Sequence, residues 1–179
     1  DVRQGEVLRE PGLRLNAQRL VLLASSGIAE VAVFRRAQVS LLATGSELVA
    51  PGTSLAPGQI YDSNRIVLQT LLRDTGGLCE DLGIVSDDPA AIAECIQRGL
   101  SADVLLISGG VSVGAHDHVK QVLRDLGMDT VFWRVAMKPG KPLLCGRRND
   151  RWVFGLPGNP ISCVVGFLVF IEPLIRRLE

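Results

Sequence analysis

The sequence is poor in aromatic residues, has no excess of charge of either sign and contains no long hydrophobic run. Aromatic side chains make up 4% of its 179 residues. The apolar content is mostly Val, Leu, Ile and Ala, which suits buried parallel strands covered by helices. Lys plus Arg and Asp plus Glu number 19 each, so no net charge attracts nucleic acid or membrane. The apolar stretch 161–171 is about half as long as a bilayer span. We therefore expect neither a nucleic-acid partner nor a membrane partner.

Cysteine is also scarce, and its spacing excludes a Cys-x-x-Cys pair. The four cysteines, Cys79, Cys95, Cys145 and Cys163, each lie in an apolar stretch, which predicts buried, reduced thiols in a cytoplasmic protein. No signal peptide is visible. Because the chain starts at Asp1 without a methionine and stops in a charged helix end, we expect it to be a piece of a longer protein.

The first 36 residues differ in pattern from the rest. Asn16 is placed to cap a helix that runs to about Ser25, and Gly27 ends that helix. Residues 28–34 then predict a short strand. This small helix/strand appendage cannot hold a core alone, so we expect it to dock onto another part of the protein.

From Gln38 onward, strand and helix patterns alternate. Such alternation predicts an α/β fold, with a mostly parallel sheet and helices on both of its faces. The predicted strands are 39–43, 78–85, 103–107, 130–136 and a late hairpin of 142–145 with 152–155. The predicted helices are 62–74, one opening at 87–89, 116–126, and 159–178 with a bend before Pro173.

Loops rich in glycine or proline follow the predicted strands. Ligands of open parallel sheets bind beyond the carboxyl ends of the strands, so these loops are read as one group. Their glycines allow backbone N–H groups to approach an oxyanion, and helix starts add a favourable dipole, which together indicate anion binding. Alone, the 108–114 loop also fits a tight strand-to-helix connection, and its glycines lack the spacing of a P-loop or a dinucleotide fingerprint. The loops are 44–47, 108–114, 137–142 and 156–160, with a fifth segment, 58–64, that leads into a helix.

Charged side chains at the same predicted edge fit this interpretation. Lys138 and Lys141 flank a Pro-Gly turn, where they either hold one anion or are two solvated lysines. Glu47 and Asp117 are candidate Mg²⁺ ligands, although both also fit carboxylates that meet the N–H groups of a helix start. Asp87 and Asp88, which precede Pro89, are most simply a helix N-cap.

Two other chemistries are disfavoured. His116 and His118 suggest a His-x-His metal site, but no third ligand is evident. The sequence has no Gly-x-Ser-x-Gly elbow and no cysteine beside a plausible base. Covalent hydrolase chemistry is therefore not expected.

Five motifs together resemble one known family. They read Thr-Gly-Ser-Glu-Leu at 44–48, Gly-Gln-Ile-Tyr-Asp-Ser-Asn at 58–64, Ser-Gly-Gly-Val-Ser-Val-Gly at 108–114, Lys-Pro-Gly-Lys-Pro at 138–142 and Gly-Leu-Pro-Gly-Asn-Pro at 155–160. Their order is that of molybdopterin molybdenumtransferases, bacterial enzymes related to the E domain of gephyrin. The resemblance implies a three-layer α/β/α molybdopterin-binding fold over 37–179, preceded over 1–36 by a segment of an elongated domain. It also implies a homodimer.

For function, the resemblance implies insertion of molybdenum into adenylylated molybdopterin with release of AMP, in molybdenum cofactor biosynthesis. The substrates would be molybdate and molybdopterin-AMP supplied by an adenylyltransferase partner, with Mg²⁺ as cofactor. By motif position, the catalytic residues would be Glu47, Asp117, Lys138 and Lys141, and the Mg²⁺ ligands Glu47, Asp117 and Asp87. The substrate-binding residues would be Thr44, Gly45, Asp62, Ser63, Asn64, Gly109, Gly110, Ser112, Gly114, Arg134, Pro157, Gly158, Asn159, Pro160 and Ser162.

Departures from the family pattern and competing functions stay open at this point. Ser46 stands where many members have Asp, and His116 and His118 replace residues that are commonly acidic, small or aromatic. The competing functions are adenylylation of molybdopterin by the same fold, a competence-damage type of nucleotide-processing protein, and a non-catalytic scaffold for molybdopterin or a receptor peptide.

Overall fold

A computed structural model describes the chain over residues 2–3, 5–8, 10–111 and 118–179. The chain divides into two units, Asp1–Arg35 and Arg36–Glu179. The first unit carries the first helix of the chain, and the second carries the sheet and its flanking helices.

In the first unit, helix α1 spans Ala17–Ser25. The side chain of Asn16 accepts a hydrogen bond from the Arg19 N–H at 3.0 Å, which confirms the predicted cap. The short strand predicted over 28–34 is wrong, because these residues form no strand and Phe34 is 69% exposed. Apolar residues alone do not make a strand, which needs a neighbouring strand, and the described part of this unit contains none.

The second unit is organised around a mostly parallel sheet. Over the described residues its strands are β1 (Gln38–Thr44), β2 (Leu48–Val49), β3 (Ile60–Tyr61), β4 (Leu78–Val85), β5 (Val104–Ser108), β6 (Asp129–Trp133), β7 (Leu144–Arg148) and β8 (Arg151–Leu156). The main sheet has the order β4-β1-β5-β8-β7-β6, and β2 and β3 form a small parallel pair of their own. β4, β1, β5 and β8 run parallel, and β7 alone is reversed, because it pairs antiparallel with both β8 and β6. The predicted sheet and its late hairpin are thus confirmed.

Helices flank this sheet at the positions that the sequence predicts. They are α2 (Asn64–Thr75), α3 (Pro89–Gly99), α4 (His118–Asp125), α5 (Pro160–Gly166), a π-helical segment (Phe167–Ile171) and α6 (Glu172–Leu178). A π-helical segment lies just before Pro173, where a bend was expected, because proline lacks an N–H and crowds the preceding turn. Among the described residues, no helix combines the length and apolar character that crossing a membrane requires.

Two hydrophobic clusters lie on the two faces of the sheet and make the fold three-layered. Leu41 and Leu42 are neighbours on β1, and both are 0% exposed, yet they belong to different clusters because strand side chains alternate between faces. The first cluster joins β1 to α2, the π-helical segment and α6 through Leu68, Leu72, Phe167, Ile171 and Ile175. The second joins the sheet to α3 and α4 through Ile92, Ile96, Val119 and Leu123. The predicted α/β/α layering is confirmed.

The cysteines follow this layering with one exception. Cys145 and Cys163 are buried as predicted, and Cys95 is half-buried. Cys79 is exposed, so its predicted burial is wrong. The reason is that β4 forms an edge of the sheet, where its first residues are open to solvent.

Candidate functional site

The register of the sheet brings the ends of its parallel strands level with one another. Ala43 of β1 pairs with Ser108 of β5, and Ser108 pairs with Leu156 of β8. Thr44 pairs with Val85 of β4. The loops that begin after these residues therefore leave the sheet at the same edge, as expected for ligand sites of parallel sheets.

Asn64, the first residue of α2, ties three of these segments together. It is 7% exposed, and its Nδ2 donates to Ser108 Oγ at 3.0 Å and to the Gly158 carbonyl at 2.8 Å. A flipped amide would set Oδ1 against the Gly158 carbonyl oxygen, two acceptors without a proton, so the contacts determine its orientation. Oδ1 is buried and has no hydrogen-bond partner among the described residues.

Thr44 and the glycine pair after β5 are packed tightly against each other. Gly109 and Gly110 have φ of 89° and 65°, a region that favours glycine. A Cβ on Gly109 would lie 2.5 Å from the Thr44 carbonyl oxygen, and one on Gly110 would lie 2.6 Å from Thr44 Oγ1. Thr44 is 3% exposed, and its Oγ1 also lacks a hydrogen-bond partner among the described residues. We call Thr44, Asn64, Ser108 and Gly158 the floor of the site.

The buried thiol of Cys163 lies next to Ser108 of the floor. Burial raises the pKa of Cys163 to about 12; the negative charge of Asp62 acts in the same direction, and a hydrogen bond from Ser108 opposes it. The thiol is therefore neutral at physiological pH and is not an activated nucleophile. This agrees with the absence of a hydrolase pattern in the sequence.

The carboxylate of Asp62 is engaged at the start of α2. It is 2% exposed, its Oδ1 accepts from the Arg65 N–H at 3.1 Å, and its Oδ2 accepts from Arg65 Nε at 2.8 Å. Arg65 also donates to Asp81 at 2.6 Å, and this hydrogen bond is the main cause of its raised pKa. Asp62 thus fixes the first turn of α2, whereas the side chain of Ser63, which is exposed, makes no capping hydrogen bond.

Two acidic residues lie together near the sheet edge: Glu47 in the loop after β1, and Asp87 after β4. The Ser46 N–H donates to Asp87 Oδ2 at 3.0 Å, and the Asp87 N–H donates to Ser46 Oγ at 3.1 Å. Gly45 is held to β4 by its N–H, which donates to the Val85 carbonyl at 3.1 Å. Glu47 is exposed beside them, with its carboxylate against Gly45. The serine in place of aspartate therefore removes a charge, while its backbone N–H holds the Asp87 carboxylate and its hydroxyl accepts from the Asp87 N–H.

The lysine loop is folded back on itself and reaches the start of α5. β6 ends at Trp133 instead of Ala136, because Arg134 adopts a φ of 68° that no strand continues. Gly140 is buried, and a Cβ on it would lie 3.7 Å from the Ser162 carbonyl oxygen. The predicted strand over 130–136 is thus three residues too long.

Both lysines of this loop, and the arginine before it, expose their charges. Lys138 and Lys141 are exposed, and the Lys138-Pro139 peptide bond is cis. The Arg134 guanidinium stacks over the Trp133 ring, 4.4 Å from its centre. We call Glu47, Asp87, Lys138 and Lys141 the rim of the site.

The Pro-Gly-Asn-Pro segment starts α5. Asn159 caps the helix by accepting from the Ser162 N–H at 3.2 Å, and Pro160 follows at the first helical position. Ser162 is buried, and its Oγ makes a weak contact with Asn159 Oδ1 at 3.4 Å. Pro157 is buried next to Gly158. These residues build the α5 side of the site.

Part of the predicted site lies outside the described residues. Ser112, Gly114 and Asp117 belong to this part, as does His116. Within the described ranges, no group of three or more His, Cys, Asp or Glu side chains is gathered as a metal cage. A separate cleft of about 370 Å³ lies beside β4, lined by residues that include Arg36, Arg73 and Cys79.

Sequence reasoning missed two contributors to the site. Ser108 joins Asn64 to Cys163, and Ser46 orients Asp87. Ser108 carried a signal, because it is a polar residue at the end of an otherwise apolar strand. The Ser46 contact spans 41 positions of sequence, and no local pattern reveals it.

Comparison with known proteins agrees with this geometry. Residues 40–177 match the family model described as "Probable molybdopterin binding domain". The chain is 44% identical over 180 residues to the molybdopterin molybdenumtransferase of Haemophilus influenzae, covering 100% of this chain and 44% of that protein. It is 40% identical to the enzyme of the same name from Nostoc sp., covering 97% of this chain and 41% of that protein.

A solved structure shows the same fold. The molybdopterin biosynthesis MoeA protein of Pyrococcus horikoshii superposes with a TM-score of 0.84 at 36% identity, over 96% of this chain and 42% of that one. The chain spans less than half the length of these relatives. The resemblance inferred from the five motifs is confirmed, and the chain belongs to the molybdopterin-binding domain family.

Proposed function

We propose that this chain is the molybdopterin-binding part of a molybdopterin molybdenumtransferase, which inserts molybdenum into adenylylated molybdopterin and releases AMP. Relatives with this name match nearly the whole chain, which supports the proposal. The observation that carries it is the link through Asn64, which joins the ends of β5 and β8 to the start of α2 at one edge of the sheet.

In the proposed reaction, the main task of the site is to offset the repulsion between two anions. Molybdate and the pyrophosphate of molybdopterin-AMP are both anions, and they repel each other when they are held close together. Exposed ammonium groups on Lys138 and Lys141, with the N-terminal ends of α2 and α5, offset that repulsion. Ser162, Arg134 and the turn of Gly109 and Gly110 complete the proposed binding surface.

The acids of the rim fit a magnesium ion held mainly by its substrate. Mg²⁺ takes one or two carboxylates from a protein, with phosphate oxygens and water as its other ligands. Glu47 is exposed, and Asp87 is oriented next to it by Ser46. Glu47 and Asp87, with Asp117, would hold Mg²⁺, which when bound supplies charge neutralisation at the phosphoanhydride.

The remaining expectations belong to the same proposal. We propose a cytoplasmic homodimer that receives molybdopterin-AMP from an adenylyltransferase partner. Zero net charge is compatible with small-molecule substrates that are bound by a local cluster of donors and not by the field of the whole molecule.

The test measures binding and product release in sequence. Purified chain is titrated with molybdopterin-AMP, then given molybdate and Mg²⁺ while free AMP is followed by chromatography. We expect binding, and AMP release that depends on both additions. ATP consumption with molybdopterin would favour the adenylylation step, and a chain that binds no molybdopterin-AMP would lack the proposed substrate site; either result would contradict the proposal.

A metal-ligand variant tests the Mg²⁺ assignment separately. Glu47→Gln keeps the size of the exposed side chain and removes its charge, so we expect a higher Mg²⁺ requirement for AMP release. Asp117→Asn is expected to act in the same direction. A Mg²⁺ dependence equal to that of the wild type in both variants would remove these carboxylates from the assignment.

A further inference from the structure

The ring of Trp133 contacts two positive charges at the end of β6. The Lys120 ammonium, on α4, lies 3.2 Å from the centre of the ring, and the Arg134 guanidinium carbon lies 4.4 Å from it. Both distances are within the reach of a cation–π interaction. The ring is half-buried and packs against the hydrophobic cluster that joins the sheet to α3 and α4. It is therefore a fixed surface, on which the exposed side chain of Arg134 lies.

The backbone of Arg134 is fixed as well. Its φ of 68° lies in the left-handed region, which residues other than glycine rarely adopt. Its N–H donates to the Leu143 carbonyl at 3.0 Å, and the N–H of Val135 donates to the Lys141 carbonyl at 3.0 Å. Such a conformation persists only where the surrounding contacts impose it, and it is common at functional sites. The guanidinium thus extends from a fixed point at the base of the lysine loop.

The way in which Arg134 is held leaves its charge and its donors available. Its guanidinium forms no ion pair with, and donates no hydrogen bond to, any residue that the structure describes. Arg65 shows the alternative, because its guanidinium is held by the carboxylates of Asp62 and Asp81, which neutralise its charge. An aromatic ring restricts a guanidinium without supplying a negative charge, so its N–H groups can still bind an anion.

We propose that Trp133 is a positioning residue that holds the Arg134 guanidinium at the base of the lysine loop for an oxyanion bound there. The inference rests on the proposed function, in which this loop binds molybdate. An exposed arginine loses conformational freedom when it binds a ligand, and a ring that already restricts it lowers this cost. Trp133 therefore acts through Arg134 and does not itself bind the anion.

The indole N–H of Trp133 defines a competing role. Nε1 is buried, and no described residue accepts a hydrogen bond from it. An anion bound directly by this N–H requires the indole, whereas positioning of Arg134 requires only an aromatic ring. Phenylalanine keeps a ring and lacks the N–H, so Trp133→Phe separates the two roles.

The experiment measures molybdate affinity by calorimetric titration and folding by thermal unfolding. We expect Trp133→Leu, which removes the ring, to weaken molybdate binding about three- to tenfold, and Trp133→Phe to stay within about twofold of the wild type. Trp152→Leu is the matched control, because the Arg147 guanidinium lies 4.9 Å from the centre of the Trp152 ring near the start of β8, away from the strand-end loops. It should lower Tm, as Trp133→Leu does, and leave molybdate affinity unchanged.

A double-mutant cycle separates positioning from packing. Arg134→Gln removes the guanidinium and should weaken molybdate binding at least as much as Trp133→Leu does. In that background, Trp133→Leu should have no further effect on molybdate affinity. Trp133→Met, which fills the same space with a flexible apolar side chain, replaces Trp133→Leu throughout if the leucine variant does not fold.

Each contrary result overturns the inference in a different way. Unchanged molybdate affinity in Trp133→Leu or in Arg134→Gln shows that the pair does not serve the anion. A loss in Trp133→Phe equal to that in Trp133→Leu assigns the anion to the indole N–H, and an equal loss in the Arg134→Gln background assigns Trp133 a packing role. If the wild-type chain binds no molybdate, the proposed function itself fails, because its molybdate site is absent.

Discussion

The floor and the rim of the site differ in burial and in charge. The floor side chains Thr44, Asn64 and Ser108 are buried and neutral, and Asn64 hydrogen-bonds to segments that lie far from it in the sequence. In the rim, Glu47, Lys138 and Lys141 are exposed and charged. Buried polar contacts fix geometry and are costly to break, whereas exposed charges contribute little to stability and are screened by salt. The comparison therefore separates residues that shape the site from residues that meet the ligand's charge.

The largest expected effect on stability comes from adding a side chain at Gly109, which packs against Thr44 of the floor. Gly109→Ala forces a Cβ to within 2.5 Å of the Thr44 carbonyl oxygen at a φ of 89°, and backbone atoms cannot move aside cheaply. We expect a loss of about 2–4 kcal/mol in the free energy of unfolding, measured by urea denaturation.

A matched glycine isolates the steric part of that loss. Gly127 has a φ of 73°, but a Cβ there would meet no described atom within 4 Å. Gly127→Ala should therefore cost only the backbone term, about 1 kcal/mol. Equal losses in the two variants would mean that the turn at Gly109 is not tightly packed against Thr44.

The second effect removes the amide that holds the floor together. Asn64→Ala leaves Ser108 Oγ and the Gly158 carbonyl without their donor, so we expect about 2–3 kcal/mol of destabilisation. Gln69→Ala, in the same helix, loses one solvent-exposed hydrogen bond to Asp81 and should cost about 0.5 kcal/mol or less. If both variants unfold at the same denaturant concentration, the hydrogen bonds of Asn64 do not stabilise the fold as its contacts indicate.

Much of the fold could be predicted from the sequence because its signals are local. Apolar runs predicted the strands, and Asn16, Asp88 and Asn159 begin helices by accepting hydrogen bonds three residues ahead. Where the prediction failed, the deciding contact was not local. Phe34 has no partner strand in the described part of its unit, and Cys79 is exposed because β4 lies at an edge.

The site was predictable to the level of loops, but not of atoms. Parallel strands end at a common edge, so the sequence predicted that the four loops after strands lie there, together with the segment 58–64 that leads into a helix. Which polar atoms stay unpaired depends on contacts such as Asn64 with Gly158, which are 94 positions apart. The motif residues Asp62 and Asn159 also fix helix starts, a structural task that spacing alone does not separate from ligand binding.

The third effect concerns the rim. Lys138 is exposed, so Lys138→Ala should change the free energy of unfolding by less than about 0.5 kcal/mol. Loss of its ammonium should raise the molybdate concentration needed for half-maximal AMP release about tenfold, with a weaker dependence on salt. Arg177→Ala, an exposed cation at the end of α6, is the control and should leave molybdate dependence unchanged. Unaltered molybdate dependence in Lys138→Ala would remove this lysine from the rim's role.

The smallest effect tests the ionic network that extends outward from Asp62. Asp81 is partly desolvated, which raises its pKa, but hydrogen bonds from Arg65, the Gly83 N–H and Gln69 outweigh this and hold the pKa below 3.8. A carboxylate with a depressed pKa stabilises the fold above its unfolded pKa, and this contribution is lost as pH falls through the folded pKa.

Asp81→Asn should therefore have a slightly lower Tm than the wild type at pH 7. The difference should shrink as pH falls below the ordinary aspartate range, because the wild-type carboxyl then becomes neutral as well. Partial exposure keeps the effect small. A Tm difference that stays constant from neutral to acidic pH would show that Asp81 acts by packing and not by charge.

The most direct measurement is a crystal structure of the chain soaked with AMP and molybdate together. We expect both ligands in one pocket, with molybdate against the lysine loop 138–142 and AMP beside the floor. Ligands bound on separate faces, for example AMP in the cleft of Arg36 and Arg73 beside β4, would contradict the claim that the strand-end loops form a single site.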